Sequence, residues 1–272
     1  MAKVQTDGQK ITIKRKLRYE QFEFDTLQIY CGIPYIVDLP SANGSIEITL
    51  PTVGDIVRVG QKKFYSTLNI FVTNTTSYRL LLWKQGIDWN TLSDFELFCM
   101  LYQQIDDEIA SMMFKDIKFS DFQLYSKKLD DKETIVLYNQ ETDTEIDESV
   151  YQHIAQYLRI AFNTHPDEKL TKDEGLKAAY IRKDESALRQ AEEMHNENDS
   201  SLQPLISACI NHPGFKYNLK EVMNISIFEF YDSVKRLQVY ENSTALMKGM
   251  YSGMVDGSKI APESYNFMKQ ID

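Results

Sequence analysis

The first fifty residues alternate between apolar and polar positions, which is typical of strands with one buried face. Apolar side chains in residues 11–19 fall mostly at every second position. Residues 28–37 are rich in β-branched and aromatic side chains, but Pro34 interrupts them and restricts the stretch to an edge strand or two short strands. Residues 41–44 form a strong turn signal, and alternation resumes after them. The pattern therefore predicts a small antiparallel sheet within the β-rich region 1–50.

The apolar spacing changes to a helical one over residues 51–165. Thr52, followed by Asp55 three positions later, is typical of a helix start. Residues 93–101 and 106–113 carry apolar side chains at i, i+3 and i+4. The pattern predicts several short helices in this region.

Alternation returns within that helical region, at residues 119–147. Apolar side chains there are separated by polar ones, and two aspartates at 130 and 131 lie between two runs. The pattern predicts a β-hairpin, or three short strands, inserted between helices. Asp147 is expected to cap the helix that follows.

A highly charged segment, residues 166–200, precedes the C-terminal region 201–272. Thr171 and Glu174 have the spacing of a capping box. The composition suits a linker or a solvated, mobile helix, and we favour a helix that separates two structured parts. Beyond it, residues 226–254 are predicted to form the longest helix.

Together these elements predict an α+β protein with a small antiparallel N-terminal sheet, a mostly helical remainder and an inserted β-hairpin. A chain of 272 residues is long enough to bury a substantial core. The pattern leaves open whether the two ends of the chain share that core.

Composition narrows the classes of partner. The net charge of −10 argues against nucleic acid, since binding phosphates requires clustered Lys and Arg. We find no run of about eighteen apolar residues and no apolar N-terminal segment, so neither a membrane partner nor a secretory signal is expected. Cys31, Cys99 and Cys209 are far apart and are interpreted as reduced thiols in a cytosolic protein.

The sequence offers little for catalysis. It has no phosphate-binding or dinucleotide-binding glycine motif, no nucleophile elbow, no His-Glu-x-x-His and no Cys-x-x-Cys. Cys209 and His212 could share a helix face as a thiol–imidazole pair, but a small core cysteine is the favoured interpretation. We predict a protein that is not an enzyme and uses no cofactor.

Two acidic groups were considered as metal sites. Asp143, Glu145 and Asp147 alternate as in a calcium loop but lack its glycine, and a solvated hairpin edge is favoured. His195 lies near Glu192 and Glu193 in the charged segment, where a solvated face is favoured. No metal site is predicted.

The C-terminal region is the strongest candidate for binding another polypeptide. The long helix is apolar on more than one face, so it must pack within its own core or against a partner. Methionines add an adaptable apolar surface. Three glycines at every fourth position either form a flat stripe for close packing or end the helix. The candidate partner-binding residues are Phe228, Tyr231, Met247, Gly249, Met250, Gly253, Met254, Gly257, Tyr265 and Met268.

Short motifs across most of the chain resemble those of uncharacterised proteins from the tail-morphogenesis module of tailed bacteriophages of Firmicutes. The motifs are packing patterns, and the resemblance skips the charged segment. They are Ile11-Thr12-Ile13-Lys14-Arg15-Lys16-Leu17, Gly86-Ile87-Asp88, Asp94-Phe95-Glu96-Leu97-Phe98, Leu205-Ile206-Ser207, Gly214-Phe215-Lys216-Tyr217-Asn218-Leu219, Asp232-Ser233-Val234-Lys235-Arg236 and Tyr251-Ser252-Gly253-Met254-Val255-Asp256.

The resemblance implies a role in phage tail or baseplate assembly, and it brings no catalytic residues. The expected function is a chaperone-like factor that binds a tail structural protein such as a tape measure, hub or baseplate protein. The alternatives are a structural component of the virion tail, baseplate or neck, and a non-catalytic regulator directed at the host. The expected location is the host cytoplasm during assembly, or the virion. The oligomeric state is left open.

Overall fold

The computed structural model describes residues 19–39, 44–129, 132–193 and 201–269. It is an α+β structure with a small N-terminal sheet, as predicted. The helices are α1 (Thr26–Tyr30), α2 (Val53–Val59), α3 (Gln61–Val72), α4 (Arg79–Lys84), α5 (Asp94–Leu101), α6 (Asp107–Phe114), α7 (Glu148–Ala161), α8 (Glu174–Glu193), α9 (Leu202–Ile210), α10 (Leu219–Val222) and α11 (Ile227–Tyr251). The strands are β1 (Tyr35–Asp38), β2 (Ser45–Ile48), β3 (Gln123–Leu129), β4 (Lys132–Asn139) and β5 (Thr144–Ile146).

Both predicted β regions form antiparallel sheets. In the first sheet β1 pairs with β2, with Tyr35 opposite Ile48. In the second the order is β3-β4-β5, which confirms the three-strand alternative for residues 119–147. The strand predicted at 11–18 and turn residues 41–43 lie outside the described residues.

The prediction of a strand beginning near residue 28 is wrong, because helix α1 lies there. The Asp25 carboxylate accepts hydrogen bonds from the backbone N–H groups of Leu27 and Gln28, which stabilises the first turn. Ile29 is buried in the core. A side-chain cap and one buried contact therefore outweigh the β propensity of this short stretch.

Side-chain caps begin the helices at the predicted places. Thr52 and Asp55 form a reciprocal capping box at α2. Asp106 accepts from two backbone N–H groups at the start of α6, and Asp147 accepts from Val150 N at the start of α7. The predicted signals at Thr52 and Asp147 are confirmed. Each could be recognised from the sequence because the capping side chain and the backbone groups that it binds lie within a few residues of each other.

The core is aromatic and is shared by both ends of the chain. The ring of Phe71 on α3 lies 5.0 Å from the rings of Phe114 and Phe119. The same cluster includes Val222 and Phe230 from the C-terminal region, both fully buried. The two ends therefore pack around one common core.

Backbone contacts reinforce that connection at the start of α2. The Gly54 N–H donates to the Met223 carbonyl at 2.9 Å, and Ile227 N donates to the Pro51 carbonyl at 3.0 Å. A β-carbon at Gly54 would lie 2.6 Å from the Met223 carbonyl oxygen, so only glycine permits this approach. This contact holds α2 against the segment that leads into α11.

A buried polar junction joins α7 to the ends of two other helices. Arg159 donates from Nε to the Val72 carbonyl at 2.8 Å and from an Nη to the Thr73 carbonyl at 2.6 Å. The same guanidinium lies 3.5 Å from the buried Asp94 carboxylate, which also accepts from Thr75 N. One side chain thus satisfies the C-terminal carbonyls of α3 and the charge at the start of α5.

The charged segment forms α8, and the first half of this helix contacts the body of the protein. Its cap is Asp173, whose carboxylate accepts from Leu176 N, so the predicted Thr171–Glu174 capping box is wrong. Arg79 on α4 forms a two-pronged ion pair with Asp184 at 2.5 and 2.6 Å. The prediction of a solvated spacer is therefore wrong for the first half of α8, because the ion pair with Arg79 and the buried side chain of Ile181 hold this half against α4. The proposed domain boundaries stay predictions.

Candidate polypeptide-binding groove

An open groove of about 930 Å³ lies between α1, the loop at residues 214–217 and α11. Its walls come from sequence positions almost 200 residues apart. Leu27 and Tyr30 of α1 form one side, and Phe215 and Tyr217 of the loop form another. Its volume exceeds those of two other surface cavities, which measure about 300 and 460 Å³.

The helical spacing of α11 separates a groove face from a core face. Phe228, Asp232, Arg236 and Tyr240 recur at every fourth position and line the groove. Ile227 and Phe230, on the opposite side, are buried in the core. The sequence of α11 is apolar on more than one face because this helix contributes side chains to both the core and the groove.

Tyrosine hydroxyls and α1 fix α11 in place. The hydroxyls of Tyr65 on α3 and Tyr231 on α11 are 2.6 Å apart. Burial and the neighbouring Tyr231 raise the pKa of Tyr65 well above its usual range, so this pair stays neutral. Helix α1 packs against α11 at the groove itself. The floor of the groove is therefore held in place from both sides.

The C-terminal arm, residues 252–269, closes one end of the groove. Arg236 donates to the carbonyls of Phe267 at 3.0 Å and of Lys269 at 2.8 Å. The Phe267 ring lies edge-on to Tyr240, with ring centres 5.8 Å apart. Arg236 is thus used to hold the arm, and Phe267 becomes part of the groove wall.

Three charged side chains line the groove: the carboxylate of Asp232 and the cations of Lys216 and Arg236. Asp232 is half-buried and forms no ion pair with any residue that the structure describes. Partial burial, and then the charges of Glu229 and Asp232, raise the pKa of Tyr30, and the charge of Arg236 only partly opposes them. Because Arg236 is engaged by the arm, the Asp232 carboxylate is the group in the lining with which a cationic side chain of a ligand could pair.

The structure brings together only part of the predicted site. Phe228 lines the groove, but Tyr231 faces Tyr65 and the core. The other predicted residues lie at the end of α11 or in the arm, where Met254 and Met268 are 87% and 76% exposed. Their binding role stays a prediction.

The groove residues that the sequence analysis did not name are Leu27, Tyr30, Phe215, Tyr217, Asp232, Arg236, Leu237, Tyr240 and Phe267. The repeat of 228, 232, 236 and 240 was the one sequence signal that pointed to them.

The helix ends between the first and the second of the three glycines, so they do not form a flat stripe on one helix and that alternative is wrong. α11 ends at Tyr251, and Gly253 adopts a positive φ of 73°. Gly253 N donates to the Met250 carbonyl and Met254 N to the Gly249 carbonyl, which is the paired pattern of a Schellman cap. A β-carbon at Gly249 would lie 2.8 Å from Val255, so Gly249 lets the chain turn back closely on the helix.

Gly253→Ala is expected to destabilise this helix end by about 1–2 kcal/mol, because a β-carbon penalises the left-handed conformation. Backbone amide exchange at Ser252 to Val255 would measure the loss. Gly253→Asn is the matched control, since asparagine tolerates positive φ and should change exchange much less. Equal exchange in both variants would contradict the cap.

The weak catalytic candidates are engaged structurally. Cys209 is buried in the core, and burial raises the pKa of its thiol. Nε2 of His212 lies 3.1 Å from the Glu241 carboxylate, and Nδ1 accepts from Gly214 N. This environment disfavours a reactive thiolate. That the protein is not an enzyme stays a prediction.

The acidic candidates have separate structural partners. The Asp143 carboxylate accepts from the Tyr138 hydroxyl, Glu145 pairs with Lys127, and Asp147 caps α7. No cluster of three metal-ligating side chains occurs in the part of the chain that the structure describes. His195 lies outside that part. Among the described helices, none combines the length and the apolar character needed to cross a bilayer.

The fold and groove define an α+β protein whose C-terminal helices line its main surface cavity. Residues 194–272, which include α9 to α11 and the arm, match the family model described as the YomV second domain. YomV is a phage-derived family from a Bacillus phage, so this similarity supports a protein family of Firmicutes phages. The match covers less than a third of the chain. Neither the curated proteins nor the solved structures gave a match.

Proposed function

We propose that the protein is a phage tail or baseplate assembly factor that binds a segment of a tail structural protein. The observation that carries this proposal is the open groove on α11, whose walls are largely apolar and aromatic. Concave apolar surfaces of this kind bind ligands or polypeptide segments. All of the groove except the wall formed by α1 lies within residues 194–272, the region similar to a phage protein family, which supports a role in phage biology.

Two features favour a polypeptide over a small compound. The groove is open to solvent, and most of its exposed lining is apolar. The adjoining arm exposes Met254 and Met268, and flexible methionine side chains suit adaptable protein contacts. The acidic net charge of −10 would help keep a complex with an apolar client dispersed.

The proposal predicts that co-expression raises the soluble yield of a tape-measure, hub or baseplate protein from the same phage and that the two co-purify. Leu27→Asp, which places a charge in the groove, should abolish both effects. Leu81→Asp is the matched control, because Leu81 is 56% exposed on α4 and does not line the groove. Unchanged client solubility with no co-purification would contradict the proposal.

Mass spectrometry of purified virions separates an assembly factor from a structural component. A factor that acts in the host cytoplasm should be absent from finished particles. A fixed copy number in the virion would instead establish a component of the tail, baseplate or neck.

A further inference from the structure

The floor of the groove has the dimensions of a helix-binding surface. The groove-facing residues of α11 run from Phe228 to Tyr240, which is about three helical turns or roughly 18 Å. Leu27 and Leu237 add aliphatic contacts between the aromatic side chains. Side chains repeated at every fourth position form a ridge against which a second helix can pack.

The backbone of the groove walls restricts the conformation of the occupant. The walls come from the helices α1 and α11, a short loop and the end of the arm, and none of the described residues of these walls belongs to a strand. They therefore offer no sheet edge that an extended strand could join. A helical occupant satisfies its own backbone and needs only side-chain contacts.

The charges of the groove determine the polar part of the occupant. Asp232 lies on the floor, is half-buried and forms no ion pair with any described residue. Arg236 on the next turn already donates to two carbonyls of the arm, while Lys216 is an exposed residue of the wall. A half-buried carboxylate in apolar surroundings is stabilised by a cation, and an ion pair there gives orientation and specificity.

We propose that the groove binds an amphipathic helix of a partner protein, with apolar residues at i, i+4 and i+7 against Leu27, Phe228 and Leu237, and with a lysine or arginine that pairs with Asp232. This inference rests on the proposed function and specifies the class of segment that the tail protein would contribute. Phe267 marks the end of the binding surface, because the arm holds its ring against Tyr240.

The test is selection from a displayed library of random peptides of about 16 residues, each roughly 24 Å long as a helix. The full chain is the bait, and excess Leu27→Asp protein in solution removes peptides that bind elsewhere. Because Leu27 is 67% exposed, this variant should fold normally, which circular dichroism would verify. The expected result is enrichment of peptides with a helical apolar repeat and at least one lysine or arginine.

Fluorescence anisotropy with an enriched peptide then tests the residues. Leu27→Asp and Asp232→Lys should each weaken binding by about tenfold or more, whereas Leu81→Asp should not. A peptide with its basic residue changed to glutamate should regain affinity for Asp232→Lys, because the ion pair is restored in reverse. Asp232→Asn, which removes the charge with little change in shape, should weaken binding of the basic peptide as well.

Failure to enrich any groove-dependent peptide would overturn the inference. So would enrichment of proline-rich, acidic or unpatterned peptides, or binding that Asp232→Lys leaves unchanged. Tail assembly in phage carrying Leu27→Asp distinguishes the two proposals. If the variant phage assembles normal tails although the wild-type protein binds basic helical peptides, the proposed function is rejected and the inferred ligand stands. If the variant phage has defective tails but the selection yields no basic helical peptide, the inferred ligand is rejected and the proposed function stands.

Discussion

Phe230→Ala is expected to lower the free energy of unfolding of the whole chain by about 3–5 kcal/mol, the usual cost of removing a buried aromatic side chain. Phe230 is 0% exposed and belongs to the core that also contains Phe64 and Phe71 from α3. Because the core is common to both ends, the entire protein should unfold at lower denaturant concentration. Chemical denaturation followed by circular dichroism and by tryptophan fluorescence would measure the change.

The fluorescence signal makes this a test of the shared core. The two tryptophans, Trp83 and Trp89, lie in or just after α4, and neither belongs to the main core cluster. Their transition should shift together with the helical signal if the chain unfolds as one unit. Phe228→Ala, on the same helix but half-buried in the groove, is the control and should cost much less. A fluorescence transition unmoved by Phe230→Ala would show that the C-terminal helices unfold on their own.

Arg159→Met is expected to destabilise the fold by about 3–5 kcal/mol, because it removes a cation 3.5 Å from the buried Asp94 carboxylate and leaves two buried carbonyls without this donor. The two carbonyls are those of Val72 and Thr73. Asp94 is almost fully buried, so solvent can compensate little of the loss. The midpoint of urea unfolding would measure it.

Two variants identify which contact matters. Arg159→Lys keeps the charge but loses the planar fork that reaches both carbonyls, so an intermediate loss is expected. Adding Asp94→Asn to Arg159→Met should recover part of the stability, because a neutral amide is less costly to bury than a carboxylate from which the Arg159 cation has been removed. If the single Arg159→Met variant unfolds at the wild-type midpoint, the junction does not hold α7 as described.

The correct predictions concern features whose contacts all lie between residues that are close in sequence. The capping box at Thr52 and the cap at Asp147 need only a side chain and the backbone of the next turn. The three-stranded sheet also followed from local alternation, since each strand pairs with the one that follows it within a few residues of sequence. The α+β class follows from these local elements.

The features that were missed depend on distant contacts. Residues 26–30 have β-forming side chains, yet the Asp25 cap and packing on α11 make them helical. The first half of α8 looked like a solvated spacer, yet Arg79 and the cluster around Trp89 attach it to the body. Composition cannot show which distant residue will pair with a charge.

The amino-acid pattern alone specified the kinds of helices and strands, most of their starting points and the apolar character of α11, because hydrophobic period and capping act over one or two turns. It did not specify the groove. Leu27, Tyr217 and Asp232 come together only when α1 and the loop at 214–217 pack on α11 around the common core. Burial of distant apolar surfaces is non-directional, so the local pattern does not encode which faces meet and which face remains open to a partner.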